Sequence, residues 1–159
     1  MHFAVNTQVL VSNRLEGLGW FTYESLKRMV INHPEHQFTF IFSQPYSADF
    51  LFADNVKAVV INTKYNHPAT WFVRFELALP WVLRRLKPDV YFSPDGWCSL
   101  LTGVKTVAVI HDLNFEHSPK SLPWIYRTYY RWFFPRWAKK AKRLATVSEF
   151  SKQDIVSTY

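Results

Sequence analysis

The sequence predicts an α/β fold, with a mostly parallel sheet that helices cover on both faces. Short runs rich in β-branched residues alternate with longer runs that repeat apolar residues at helical spacing. Such alternation requires crossover connections, which join parallel strands. The clearest short run, TVAVI at residues 106–110, is almost entirely apolar, as strands buried on both faces are.

Length and composition agree with this fold. The chain has 159 residues, of which 48% are hydrophobic and 18% aromatic. That composition excludes a disordered chain, which lacks the apolar surface needed to offset its conformational entropy. Because globular domains cluster at about 100–150 residues, we predict one domain over residues 1–159.

Three strands and one helix are predicted in the first part of the chain. Residues 3–11 are rich in β-branched residues and stop at a Ser-Asn pair, which predicts the first strand. Residues 20–32 repeat apolar side chains every three or four positions before a His-Pro pair, which predicts a helix that ends there. The short apolar runs 38–42 and 56–61 predict the second and third strands.

The alternation continues in the second part of the chain. Residues 69–86 have helical periodicity, and Pro80 is expected to bend this helix or split it in two. A Pro-Asp pair ends the helix. The remaining predicted elements are strands 90–92, 105–110 and 143–147, a helix over 122–141 and a last helix from residue 149 onward.

Ligands of open parallel sheets lie beyond the carboxyl ends of the strands, where the strand order reverses. In this sequence the rule selects three places. They are the loop at residues 12–19, the turn at residues 93–97 and the segment that follows Ile110.

Gly17 and Gly19 lie in the first of these places, and half of the four glycines are therefore in one turn. Glycines let a backbone approach a ligand closely, and the following helix start offers N–H groups to an anion. The alternative is an ordinary strand–helix turn. A dehydrogenase fingerprint is not matched, because Thr22 replaces the third glycine and Ser43-Gln44 replace the acid that would bind a ribose.

His111 and Asp112 directly follow the clearest strand. A histidine in this position points into the ligand crevice, where it can hydrogen-bond a hydroxyl or face a phosphate. The alternative is that His111 packs in the core while Asp112 caps a turn. Glu116 and His117 do not complete the spacing of a zinc site on one helix face, so no metal site is predicted.

A basic aromatic helix is predicted within residues 120–143, which hold eight basic residues, no acid and many interleaved aromatic residues. Such a helix can lie on an anionic membrane with its cations at the headgroups. The alternative is a core helix with a basic, solvated outer face. The candidate anion-binding residues are Arg127, Arg131, Lys139 and Lys140.

Ser148 and Glu149 mark the start of the last helix. Ser148 is a capping residue type, and Glu149 suits the positive end of the helix dipole. Ser151 with Asp154 fits a capping box, so the cap lies at either serine. Neither neighbour of Ser148 is glycine, which excludes a nucleophile elbow.

Charge and cysteine content bound the partners and the compartment. Nineteen basic residues against twelve acidic ones favour anionic partners such as sugar phosphates, phospholipid headgroups or nucleic acid. Cys98 is the only cysteine, which excludes a disulfide framework. Neither a long apolar span nor a signal-peptide pattern is present, and we predict a cytoplasmic protein.

Three segments together resemble the N-terminal domain of glycosyltransferase family 4, the retaining GT-B enzymes. LEGLGWF resembles the family's first-loop Gly-x-Gly, VIHDLNFEHSP its strand followed by His-Asp, and LATVSEFSKQDIV its next strand and helix. Their order and spacing agree, so the resemblance covers essentially the whole chain. It implies a Rossmann-like, three-layer α/β/α domain that forms the N-terminal half of a GT-B fold.

The resemblance also implies roles for individual residues. His111 would be the catalytic residue, placed beside the transferred sugar and bonded to its hydroxyls. The glycine turn would approach the donor diphosphate or the acceptor, and the start of the last helix would lie at the rim of the cleft. The implied substrate-binding residues are Gly17, Gly19, Asp112, Ser148 and Glu149.

A hexosyltransferase is implied, which moves a sugar from a nucleotide-sugar donor to a saccharide or lipid-linked acceptor, as in polysaccharide biosynthesis. A separate C-terminal domain would hold the donor, so residues 1–159 alone are expected to be inactive. Backbone N–H groups and cations would stabilise the leaving phosphate, and neither a metal nor another cofactor is expected.

Many family members act at membranes, which suits the basic aromatic helix and a place at the inner face of an anionic membrane. The apolar face that would dock the second domain also offers a surface for dimerisation. The alternative from another class is a non-catalytic basic module that binds an anionic membrane or a protein. Nucleic acid is not expected as a partner, because no recognition motif for it is present.

The sugar-transfer hypothesis depends on one expectation about geometry. His111 and the bend at Gly17 and Gly19 should line the same pocket, at the tips of adjacent parallel strands. A position of His111 on the far side of the sheet from the bend would contradict the hypothesis.

Overall fold

The computed structural model describes residues 1–12, 14–62, 67–118, 120 and 122–159. Its strands are β1 (His2–Asn6), β2 (Gln37–Phe42), β3 (Val56–Val60), β4 (Val90–Ser93), β5 (Lys105–Val109) and β6 (Arg143–Ala145). Its helices are α1 (Gly17–Asn32), α2 (Pro68–Phe72), α3 (Leu79–Leu86), α4 (Asn114–His117), α5 (Trp124–Lys140) and α6 (Glu149–Thr158). A π-helical segment, Val73–Ala78, joins α2 to α3, and a 3₁₀ turn covers Ala48–Phe50.

All six strands are parallel and form one sheet in the order β3-β2-β1-β4-β5-β6. Helices cover both faces, so the predicted Rossmann-like three-layer α/β/α fold is confirmed. The strand order reverses between β1 and β4, which places the expected ligand crevice beyond the carboxyl ends of these two strands.

On the first face of the sheet, α1 packs over β1 and β2. Leu26 and Val30 of the helix contact a cluster that includes Val5 and Phe40, and all four side chains are fully buried. Each such side chain contributes about 1.5–3 kcal/mol through burial. Ala4 points to the opposite face, as the alternation of a strand requires.

On the second face, α3 and α5 pack over β4 and β5. Leu83 of α3, Tyr91 of β4 and Trp137 of α5 lie in one buried cluster. The apolar stripe of α5 recurs every four residues through Tyr129, Phe133 and Trp137, so α5 is a core helix with a basic outer face. None of the described helices combines the length and the apolar character needed to cross a bilayer.

Two predicted boundaries of the first part of the chain are wrong. The first strand ends at Asn6 instead of residue 11, because the backbone turns there: Leu10 N donates to Thr7 O at 3.0 Å. Leu10 is apolar because it is buried in a loop and not because it belongs to a strand. The first helix begins at Gly17 instead of residue 20, so the glycine pair lies within its first turn.

The split predicted at Pro80 does not occur, because the helical stretch from Pro68 to Leu86 is continuous. The six residues before Leu79 are π-helical, and Leu79 N donates to Arg74 O. The wider turn precedes the proline, which lacks an N–H and would clash with a tight preceding turn.

The expectation that the glycine bend and His111 follow adjacent strands is wrong, because β4 lies between β1 and β5. The bend follows β1 and His111 follows β5. Strand order depends on how the crossover helices fold back over the sheet, which the order of elements along the chain does not specify.

Candidate functional site

A buried carboxyl group lies where β1 and β4 end side by side. Asp95 is 6% exposed, and its oxygens accept hydrogen bonds from Asn6 Nδ2 at 2.8 and 2.9 Å. Gln8 Nε2 donates to it at 2.7 Å, and Ser93 Oγ donates at 2.8 Å. Side chains from both strand ends therefore meet at one carboxyl group, at the point where the strand order reverses.

Burial raises the pKa of the Asp95 carboxyl, because the charged form loses its hydration. Hydrogen bonds from Gln8, Asn6 and Ser93 oppose this effect, since they stabilise the carboxylate. The Asp95 carboxyl group thus holds the side-chain amide of Gln8 in one orientation, with the Nε2 donor directed at Asp95.

The turn after β4 requires glycine. Gly96 has a φ of 81°, a conformation that other residues rarely adopt, and an added Cβ would meet Val109 O at 3.2 Å. This turn brings the Trp97 ring to the second face of the sheet, against Phe75 at 4.9 Å between centroids.

A cleft of about 800 Å³ opens beyond the carboxyl ends of β1 and β2, within the usual size range of small-molecule sites. The loop between β1 and α1 forms one side, with Gln8 at the inner end. Helix α2, the following π-helical segment and the start of α5 form the other side. Because aromatic rings dominate that side, we call this the aromatic cleft; its rings are those of Trp71, Trp97, Tyr126 and Tyr130.

Among these four rings, Trp71 contacts each of the other three. The Trp71 centroid lies 4.9 Å from that of Trp97, 5.4 Å from that of Tyr126 and 5.7 Å from that of Tyr130. Trp97 and Tyr130 are 5.6 Å apart, close to edge-on. Such packing makes one wall of the cleft a broad apolar surface with electron-rich ring faces.

Arg74 lies on the π-helical segment, lines the cleft and is 2% exposed. Its Nη1 donates to Ile61 O at 2.6 Å and lies 3.5 Å from Phe42 O. Its Nε and Nη2 have no hydrogen-bond partner among the described residues. Burial lowers the pKa of the guanidinium, and the charge of Asp95 acts against that shift.

The two predicted glycines differ in their surroundings. An added Cβ at Gly19 would lie 3.1 Å from Val9 O and 3.2 Å from Leu15 Cδ2, whereas Gly17 has open space around it. Gly19 thus allows α1 to pack against the loop after β1. The side chain of Glu16 does not cap the helix, and Glu16 and Leu18 line the cleft at the start of α1.

His111 lies on the same face of the sheet as the glycine bend, with its ring edge-on to Phe21 at 4.8 Å between centroids. Its Nε2 lies 2.8 Å from Pro94 O. A carbonyl can only accept, so Nε2 carries a proton, and Nδ1 of the neutral ring is an acceptor. His111 does not line the aromatic cleft, although Glu16 and Leu18 beside the glycines do.

The other predicted substrate-binding residues have local roles at helix starts. Asp112 Oδ1 accepts from Asn114 N at 2.9 Å at the start of α4. Ser148 is the cap of α6, since its Oγ accepts from Ser151 N at 3.1 Å. Glu149 is exposed and pairs with Lys152 at 3.2 Å. None of the three lines the aromatic cleft.

The predicted anion-binding residues of α5 include side chains that are engaged within the chain. Arg131 Nε donates to Glu116 at 2.8 Å, and Lys140 Nζ donates to the carbonyls of Leu100 and Thr102. Lys139 is exposed and Arg127 is half-buried. The exposed side of α5 instead presents Trp132, 47% exposed, with the Arg136 guanidinium 4.1 Å above its ring, and Lys139 one turn further on.

The structure therefore brings together residues that the sequence analysis did not select. Asn6, Gln8 and Asp95 meet at the end of β1 and β4, and Arg74 and Trp71 line the cleft nearby. The turn at residues 93–97 was one of the three predicted places. Nothing in the sequence distinguishes Arg74 from the other basic residues, because its burial depends on the packing of the whole helix.

Comparison with known families adds one finding. The model of a family described as Glycosyltransferase Family 4 matches residues 16–159, which includes the glycine bend, the aromatic cleft's helices, His111 and α6. No curated protein sequence matches the chain significantly.

Proposed function

The chain belongs to glycosyltransferase family 4, and from this premise we propose that residues 1–159 form the acceptor-binding domain of a retaining sugar transferase. The aromatic cleft receives a saccharide or lipid-linked acceptor. The observation that carries the proposal is the position of this cleft, beyond the carboxyl ends of β1 and β2 next to the strand-order reversal.

The chemistry of the cleft suits a sugar. Its aromatic wall offers ring faces to the C–H groups of a pyranose, and the opposite side carries Gln8 and Gln44, whose amides can donate and accept. Sites for small molecules combine an apolar lining with a few fixed polar groups in this way. Asp95 fixes one of them by holding Gln8 Nε2 at 2.7 Å, so the order is present before a ligand binds.

His111 lies on the same face of the sheet as the glycine bend, and we assign it to the transferred sugar. The hydrogen bond from Nε2 to Pro94 O fixes the ring and leaves Nδ1 to accept a hydrogen bond from a sugar hydroxyl. Such a hydrogen bond would orient the sugar while its anomeric carbon gains positive charge.

The donor is a nucleotide-sugar held by a separate C-terminal domain, and the hexose is transferred with retention. As charge grows on the leaving phosphate, the first N–H groups of α1 at Gly17 and Gly19 contribute positive potential, without a metal or another cofactor. Residues 1–159 by themselves bind the acceptor and do not transfer sugar, because the fold supplies one of the two walls of the reaction cleft.

A saccharide-binding experiment tests this proposal. A panel of neutral methyl hexosides is titrated into the chain while tryptophan fluorescence and calorimetry are recorded, and Trp71→Ala is compared with the wild type. We expect saturable binding that weakens about tenfold or more in Trp71→Ala, while Trp20→Ala, outside the cleft, binds normally. Failure of every hexoside to bind, or sugar transfer by the isolated chain, would contradict the proposal.

Peripheral membrane contact is a second candidate function, which the exposed side of α5 favours. Trp132, Arg136 and Lys139 lie on one side of this helix, and the stacked Trp132–Arg136 pair combines an apolar ring with a cation. We propose that this side contacts anionic headgroups at the cytoplasmic face of a membrane, near lipid-linked acceptors.

Vesicle sedimentation tests the membrane contact. We expect binding to phosphatidylglycerol vesicles but not to phosphatidylcholine vesicles, and a decrease as salt rises. Arg136→Gln with Lys139→Gln should abolish binding, whereas Arg131→Gln should retain most of it because Arg131 is paired with Glu116. Equal binding by both variants would contradict this assignment.

A further inference from the structure

Arg74, which lines the aromatic cleft, keeps a pair of buried parallel donors without a partner among the described residues. In a guanidinium, Nε–H and one Nη2–H point the same way and match the two oxygens of a carboxylate or phosphate. In Arg74 these are the two nitrogens without a partner among the described residues, while Nη1 is bound to the carbonyl of Ile61. The bound nitrogen orients the group, and the unpaired edge is buried.

Among the described residues, no carboxylate is hydrogen-bonded to the Nε–Nη2 edge of Arg74. Asp95 is the acid whose charge acts on Arg74, but its oxygens already accept from Asn6, Gln8 and Ser93. Glu16, an acid that lines the cleft, is exposed and pairs with Arg14 at 3.1 Å. A buried guanidinium that leaves two donors unpaired is unfavourable, and an incoming anion would remove that cost.

We infer that the acceptor is an anionic saccharide, whose phosphate or carboxylate binds the Nε–Nη2 edge of Arg74 while its sugar ring lies on the aromatic wall. The inference rests on the proposed function and names the substrate class of the same cleft. Trp71 precedes Arg74 by three residues on one helical stretch, so ring and guanidinium face the cleft together. Because Arg74 is 2% exposed, the anion reaches it after a side-chain rearrangement of the kind common on binding.

Four probes separate the contributions that the sugar ring and the anionic group make to the binding affinity. The 159-residue chain is titrated at constant ionic strength with methyl glucoside, glucose 6-phosphate, glucuronate and inorganic phosphate, and binding is measured by calorimetry. We expect an anionic sugar to bind about tenfold to hundredfold more tightly than methyl glucoside, the usual gain from hydrogen bonds to a charged group. The tighter of the phosphate and carboxylate probes identifies the anion.

Two lysine substitutions on the same helical stretch identify the residue responsible. Arg74→Lys keeps the charge but removes the parallel donors, so we expect the anionic sugars to lose about tenfold in affinity while methyl glucoside is unaffected. The matched control is Arg85→Lys, because Arg85 is exposed and stacked on Trp81 at 3.8 Å, away from the cleft lining. It should leave every affinity unchanged.

A measurement on the wild type covers the case in which Arg74→Lys does not fold. Phosphate should raise the melting temperature saturably relative to chloride at equal ionic strength, because a ligand that binds only the folded state stabilises it. An unchanged melting temperature would overturn the inference.

The outcomes distinguish the inference from the proposed function. Equal affinities for neutral and anionic sugars, or an anion preference that survives in Arg74→Lys, would overturn the anionic acceptor and leave the saccharide cleft intact. If no sugar binds at all, both fail together.

Discussion

Two buried charged residues on the same π-helical segment have opposite surroundings. The Glu76 carboxylate accepts from Leu100 N at 2.8 Å, Leu101 N at 3.2 Å, Ser99 Oγ at 3.2 Å and Trp137 Nε1 at 3.1 Å. Arg74, two positions earlier, leaves two of its three nitrogens without a partner among the described residues. Both side chains are 2% exposed, so solvent does not explain the difference.

The comparison separates a structural charge from one that is available to a ligand. Glu76 joins its helix to α5 and to the loop after Cys98, and its hydrogen bonds repay the loss of hydration. Arg74 remains underbonded next to an open cleft. A buried charge with unused donors at a cleft is therefore a better indicator of a ligand site than burial or charge alone.

Removal of the Glu76 carboxylate has the largest expected effect. Glu76→Ala leaves two backbone N–H groups and the Trp137 indole N–H without an acceptor, and we expect a loss of about 3–5 kcal/mol in the free energy of unfolding. Urea denaturation measures it. Glu76→Gln retains one side-chain oxygen and should lose less. A loss below about 1 kcal/mol for Glu76→Ala would contradict the assignment of Glu76 as a structural charge.

Asp95 is a third buried ionisable group, and its oxygens accept hydrogen bonds from Asn6, Gln8 and Ser93. Its folded-state pKa is raised, so the protonated carboxyl favours the folded state. The resulting stability is present below the ordinary value of 3.8 and is lost as pH rises through the folded-state pKa. We expect the stability advantage of the wild type over Asp95→Asn to fall as pH rises above about 4, by at most about 1.4 kcal/mol per pH unit. Urea denaturation at stepped pH tests this, and an advantage that grows with pH would contradict it.

Gly17 and Gly19 form a second pair two positions apart on one helix. Gly19→Ala would place a Cβ 3.1 Å from Val9 O, and we expect a loss of about 1–3 kcal/mol, as overpacking causes. Gly17→Ala meets open space and should raise stability by up to about 1 kcal/mol, since glycine is a poor helix former. Thermal unfolding of the two variants gives the comparison, and equal effects would show that α1 does not pack as described.

Arg74→Met has the smallest expected effect on stability. The substitution removes the bond to Ile61 O but also two unpaired buried donors, each of which costs about 1–3 kcal/mol. We expect the free energy of unfolding to change by less than about 1 kcal/mol in urea denaturation. A loss as large as that of Glu76→Ala would mean that Arg74 is structural, like its neighbour.

Much of the fold could be predicted because it depends on local patterns. The apolar runs at β2 and β5 and the stripe of α5 follow from the periods of strands and helices. Residues 7–11 were misassigned because Leu10 is buried by tertiary contacts in a loop. The π-helical segment that precedes Pro80 could be recognised only from the structure.

The candidate site could be predicted less well. The position of ligand sites in parallel sheets pointed to the turn at residues 93–97, where Asp95 lies. The resemblance to the family pointed to His111 and the glycine bend, whose assigned roles remain predictions. The aromatic wall combines Trp71 with rings from two other segments. The spacing of these residues along the chain does not show that their rings pack together.

The sequence by itself determined the class of fold and the family, because periodicity and motifs are properties of neighbouring residues. The tertiary structure alone decided which buried charged groups have hydrogen-bond partners. Arg74 and Glu76 differ only in what the rest of the chain brings to them, and hydrogen bonds between distant segments exist only once those segments have packed.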